Sequence, residues 1–225
     1  MTQEERQQII NLVKQEVIPA IGCTEPIAVA LCVAKATEVL GSRPEKINVF
    51  LSANILKNAM GVGIPGTGMI GLPIAVALGA LIGKSSYQLE VLKDSTPQAV
   101  EEGKAYLNEK RISIALKDDC TEKLYVEVVC EAGSSHSGAI ISGEHTRFVF
   151  VSKDADVLLK EDVVTDASAQ EKTLNLTLHK VYDFALTAPL AEIAFILDTA
   201  KLNKGEEELT KIEKVKTVLR YIYQL

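Results

Sequence analysis

Cys23 has the strongest claim to chemistry in this chain. It stands in Gly22-Cys23-Thr24-Glu25-Pro26, at the entry to a predicted helix, where the helix dipole and free backbone N–H groups favour a thiolate. A thiolate there would act as base, nucleophile or metal ligand. The plainer alternative is a small buried residue, which free cysteines often are. Cys32 falls on the apolar face of the same helix, Cys120 follows two aspartates in a turn, and Cys130 ends a strand. None has a C-x-x-C partner, so the spacing supports no zinc or iron–sulfur site built within this chain.

A second candidate is the glycine-rich stretch at residues 57–71, where Gly61, Gly63, Gly66, Gly68 and Gly71 surround Pro65 and Thr67. Such a backbone can approach a ligand closely. Leading into an uncharged helix, it would offer free N–H groups to a small anion such as the carboxylate of an amino acid. Asn54, Lys57 and Asn58 precede it and could bind a carboxylate or an amino group. Residues 61–66 satisfy G-x-G-x-x-G on paper, but the expected strand ends at Leu51 and Pro65 interrupts the turn, so a dinucleotide site is disfavoured. Residues 79–85, GALIGKS, are one residue short of a phosphate loop and follow a helix instead of a strand.

Among the three histidines, His145 opens a strand beside the Gly143 turn, where it is either aimed into a cleft or simply exposed. His136 and His179 read as surface residues. No G-x-S-x-G elbow is present, which disfavours a serine hydrolase, and no lysine is set apart as a Schiff base for pyridoxal phosphate.

The elements that must position these groups follow from periodicity. Ile9, Leu12, Val13 and Val17 mark an amphipathic helix ended by Pro19, and Thr24 can cap a second helix running to Leu40 before Gly41. Residues 47–51 read as a strand, 69–83 as a helix buried on every side, and 97–108 as an exposed helix. Strands at 112–116, 124–130, 138–142 and 145–151 suggest an antiparallel meander. An irregular connection at 154–170 precedes helices at 174–184, 189–202 and 206–223. The expected fold class is α+β: a mainly antiparallel sheet with helices packed on it, one of them fully buried after the glycine-rich loop.

A chain of 225 residues can build a substantial core. Its net charge of -6 and scattered basic residues argue against nucleic acid as a partner. The longest apolar run, 69–83, is shorter than the roughly 20 residues that cross a bilayer, so no membrane partner is expected. Four dispersed cysteines and no signal peptide point to a reducing cytoplasm.

Taken together, residues 22–26, 57–61, 65–69, 71–73 and 89–94, followed by Gly143, His145, Thr146 and 195–203, resemble the L-cysteine desulfidase family, iron–sulfur enzymes akin to the α chains of bacterial L-serine dehydratase. The likeness covers nearly the whole chain; Arg147 stands where that family usually has asparagine. It implies degradation of L-cysteine to pyruvate, ammonia and sulfide, a lyase reaction using a 4Fe-4S cluster and no pyridoxal phosphate. The cluster would act as Lewis acid while a base takes the α-proton. The resemblance makes Cys23 that base and assigns substrate binding to Thr24, Glu25, Asn58, Gly66, Thr67, Gly68, His145 and Thr146.

Members of that family are roughly twice this length, and their cluster ligands lie in the half that has no counterpart here. The resemblance therefore implies a substrate-facing N-terminal domain over residues 1–203, with 204–225 a C-terminal helix that opens a second domain. The isolated chain is expected to hold no metal and to be inactive as a lyase. Leu209, Ile212, Val215, Leu219 and Ile222 give the last helix an apolar stripe for a partner, either a second copy or the cluster-bearing half. Two other readings stay open: an amino-acid-binding module without catalysis, and an L-serine dehydratase-like deaminase.

Overall fold

The computed structural model describes residues 1–17, 20, 22–161 and 176–197. In chain order the elements are α1 (Gln3–Glu16), α2 (Thr24–Leu40), β1 (Lys46–Leu51), α3 (Ala53–Ala59), β2 (Gly63–Ile64), β3 (Met69–Ile70), α4 (Leu72–Leu81), a 3₁₀ helix (Ser85–Glu90) and α5 (Pro97–Asn108). There follow β4 (Ile112–Leu116), β5 (Tyr125–Ala132), β6 (Ser135–Ser142), β7 (Phe148–Lys153), β8 (Asp156–Lys160), α6 (Leu178–Thr187) and α7 (Leu190–Ile193). The chain forms two compact units, Ala20–Ala169 and the pair of segments Met1–Pro19 and Gln170–Leu225. The domain boundary expected at 203/204 and the helix expected at 206–223 lie outside the described residues.

The larger unit is an α+β fold on a six-stranded mixed sheet of order β4-β1-β5-β6-β7-β8. β1 pairs parallel with β4, from Ile47↔Ile112 to Leu51↔Leu116, and antiparallel with β5 on its other side. The expected meander is thus corrected at one end, because β1 separates β4 from β5. A parallel neighbour needs a long crossover, and α3 to α5 supply it. The segment expected to be irregular at 154–170 begins instead with β8, which pairs with β7.

Alternation along the strands turns Ile47, Val49, Leu51, Val126, Val128, Cys130, Ala139 and Ile141 into the core. α2 lies against that face. Its alanines at 28, 30, 34 and 36 are fully buried and allow a close approach, and two polar bonds fix the register: Ser137 Oγ donates to the Ala36 carbonyl at 2.7 Å, and Cys32 Sγ to the Ala139 carbonyl at 3.3 Å.

α4 is buried because neighbours occupy its sides. At Gly79 a Cβ would stand 2.6 Å from the Ala30 carbonyl oxygen of α2, and at Gly103 of α5 it would stand 3.1 Å from Ile74. Among the residues of α4, Pro73 is exposed and Leu81 half-buried; the others are buried. The helix opens at Leu72, three residues later than the uncharged run suggested, since Met69 and Ile70 belong to a hairpin with β2.

In the smaller unit Ile9 and Ile10 of α1 pack with Phe184 of α6. Thr2 and Glu5 form a reciprocal capping box at the start of α1. The Thr2 backbone N–H, then Lys180 at 3.0 Å, hold the Glu5 carboxyl down at about 2. No helix among the described residues is long and apolar enough to cross a membrane.

Candidate functional site

Three segments of the larger unit converge at the N-terminus of α2. Cys23 takes the cap position, with extended backbone angles, and Thr24 becomes the first helical residue. The thiol does not cap a backbone N–H. It donates instead to Glu25 Oε2 at 3.0 Å, and the Thr24 hydroxyl donates to the same oxygen at 3.3 Å. From the C-terminal end of α3, Asn58 Nδ2 reaches Glu25 Oε1 at 3.4 Å. His145, half-buried in the turn between β6 and β7, favours the Glu25 carboxylate electrostatically when protonated.

This geometry reverses the thiolate expectation. Burial, and then the hydrogen bond to Glu25, push the Cys23 thiol above its ordinary value. Burial acts in the same direction on Glu25, but hydrogen bonds from Cys23, the backbone and Thr24, with the charge of His145, outweigh it and hold that carboxyl below its ordinary value. The anion of the pair is therefore the carboxylate. A helix N-terminus does stabilise negative charge here, and Glu25 in the first turn carries it.

The glycine stretch folds as the hairpin β2–β3 with residues 65–68 at its tip. Thr67 is buried and its hydroxyl is spent inside the turn, donating to the Ile64 carbonyl at 2.7 Å and accepting from the Met69 N–H at 3.0 Å. Its own N–H goes to Ile64 as well. The two exposed glycines at the tip, Gly66 (φ +75°) and Gly68 (φ +65°), have N–H groups with no acceptor among the described residues. The tip is thus a place where a carboxylate would find free amides. α4 has Gly71 at its cap, packed so tightly that a Cβ would stand 2.8 Å from the Met60 carbonyl oxygen.

Gly22 connects this tip to α2. A Cβ on Gly22 would sit 2.7 Å from Pro65 Cγ, and its φ of +84° suits glycine. Cys23 therefore lies one residue from the contact between the two segments. The Gly22–Pro65 contact was not foreseen from sequence; the readable sign was a glycine before Cys23 and a single proline opening the glycine turn. Thr146 shares the His145 turn. Arg147 pairs with Glu161, 3.2 Å distant, and Asn54 and Lys57 are exposed on α3.

Cys120 and the buried Cys32 and Cys130 take no part in this cluster. Among the described residues no group of three or more His, Cys, Asp or Glu side chains could hold a metal ion. The donor set of the described residues does not fit an iron–sulfur cluster.

The fold and site define an α+β protein whose principal polar constellation is a thiol–carboxylate pair beside a glycine hairpin. Over nearly its whole length the chain is similar to UPF0597 proteins: 73% identical over 208 residues to one from Bacteroides fragilis, covering 92% of this chain and 49% of that protein. A UPF0597 protein of Bacteroides thetaiotaomicron is 66% identical over 208 residues (92% and 48%), and one of Aeromonas hydrophila 41% identical over 199 residues (87% and 45%). The chain spans about half the length of the curated relatives it matches. No family model matches it, and no solved structure matches it. These relatives correct the resemblance drawn from motifs alone: they bear the name of a distinct family, and nothing in them ties the chain to L-cysteine desulfidases.

Proposed function

We propose that this chain forms the substrate-facing part of an enzyme that removes the α-proton of a small amino acid, the opening step of a lyase-type elimination. The observation that carries the reading is the Cys23–Glu25 hydrogen bond, held beside the hairpin tip by the Gly22–Pro65 contact. In this scheme the Gly66 and Gly68 amides take the substrate carboxylate, where negative charge grows as the α-proton leaves. The thiol passes its proton to Glu25 along the existing bond, and the resulting thiolate accepts the proton from the α-carbon.

The electron pair left on the α-carbon expels the β-substituent, which takes the proton stored on Glu25. Cys23 ends the step as a thiol, so charge and protons balance. Thr24 and Asn58 orient the carboxylate through their hydrogen bonds, and His145 favours its charged form. Because the relatives are about twice as long, the complete elimination is assigned to the full-length protein and the proton transfer to this chain.

Titration of the 225-residue chain with L-serine and L-cysteine, followed at the amide resonances of Gly66 and Gly68, tests substrate capture at the hairpin tip. Saturable shifts of both resonances support the reading; resonances that do not move remove the tip from the site. Binding with no proton transfer would leave a module that recognises amino acids without acting on them.

A further inference from the structure

A pocket in the smaller unit carries a separate inference. It measures about 200 Å³ and is lined by Gln3, Arg6 and Gln7 of α1 and by Glu192 of α7. The Arg6 Nε atom is buried and has no hydrogen-bond partner among the described residues. A buried donor without an acceptor is uncommon in native proteins and calls for an explanation. Two ion pairs lie in this unit, Glu5 with Lys180 at 3.0 Å and Asp183 with the chain's N-terminal amine at 3.3 Å. Arg6 and Glu192, by contrast, line one cavity, and neither forms an ion pair among the described residues.

We propose that this pocket binds a free α-amino acid with a small side chain. Opposite charges held apart across a cavity match a zwitterion. The carboxylate lies against the guanidinium, whose planar fork of donors suits it, with the Gln3 amide beside it. The ammonium lies against Glu192. Gln7 uses its Nε2 to donate to Asn11 Oδ1 at 2.9 Å, so its carbonyl oxygen is the group left to accept from the ammonium. The volume, below the roughly 300–1,000 Å³ of sites for larger organic ligands, limits the ligand to a small one. The site shares no residue with the Cys23 cluster and stands independently of the function proposed there.

The test is a titration of the 225-residue chain, ¹⁵N-labelled on arginine, with glycine, L-alanine and L-serine, and with acetate and methylamine as single-charge probes. The Arg6 Nε–H resonance is the reporter. The expected result is a saturable shift with at least one amino acid, weaker binding of acetate and methylamine, retention in Glu25→Gln, and a loss of about tenfold or more in Glu192→Gln. Glu192 is exposed, so this last variant keeps its fold. The inference is overturned if no amino acid moves the resonance, if acetate binds as well as the amino acids, or if Glu192→Gln binds like the parent. Loss of the shift in Glu25→Gln would also overturn it, by assigning the signal to the Cys23 cluster.

Discussion

The Cys23 thiol donates to the Glu25 carboxylate across 3.0 Å, from the cap of α2 to its first turn. Two residues that could each hold the negative charge favoured at a helix N-terminus share one proton, and the charge rests on the glutamate. The ionisation of the thiol therefore depends on its neighbour.

Replacing Glu25 by glutamine removes that charge, and the Cys23 thiol titrates at lower pH. Alkylation rates measured against pH in a Cys120→Ser background isolate Cys23, because Cys32 and Cys130 are buried. An unchanged or raised titration point would show that burial alone governs the thiol.

Acidification reports on the same carboxylate from the other side. The Glu25 carboxyl lies below its ordinary value in the fold. Its contribution to stability is therefore fully present above the unfolded value of about 4.3 and is lost as pH falls through the lower folded value. Urea unfolding of the parent and of Glu25→Gln shows a constant gap above about pH 5 that closes on acidification. A gap that persists undiminished at strongly acid pH contradicts this.

The Gly22–Pro65 contact makes a graded prediction. Gly66→Ala meets nothing within 4 Å and carries only the cost of a left-handed alanine, about 1–2 kcal/mol. Gly22→Ala carries that cost and also places a Cβ 2.7 Å from Pro65 Cγ, so it destabilises more. It also shifts the amide resonances of Gly66 and Gly68, because Pro65 must move. Equal unfolding free energies for the two variants would show that the hairpin yields freely.

Helix packing is checked at Gly79. A Cβ there meets the Ala30 carbonyl oxygen at 2.6 Å, in backbone that cannot step aside cheaply. Gly79→Ala lowers the unfolding free energy by about 1–3 kcal/mol despite alanine's better helix propensity. A neutral or stabilising result would mean that α2 and α4 are not packed so closely.

Much of this architecture was legible in the residue pattern. The span of α2 between Cys23 and Gly41, the strands that alternate in burial, and the buried character of α4 all follow from local periodicity and punctuation. What escaped was long-range or very short. No local feature of Ile47 to Leu51 reveals that the strand inserts between β4 and β5, because pairing depends on a crossover of three helices. The hairpin of Gly63–Ile64 with Met69–Ile70 is too brief for alternation to register, and β8 carries only exposed or half-buried residues and so lacks a buried stripe. At the site, the sequence singled out Cys23 and the glycines as separate candidates, but the ionisation state turned on a side-chain bond between residues 23 and 25, which spacing does not encode.

The most direct test of proton transfer at Cys23 is α-hydrogen exchange. The 225-residue chain is incubated with L-serine or L-alanine in D₂O, and the α-proton signal is followed by NMR. The account predicts washout above the buffer rate, reduced about 100-fold or more in Cys23→Ser and in Glu25→Gln. Exchange at the buffer rate in the parent chain, or exchange in Cys23→Ser as fast as in the parent, would contradict it.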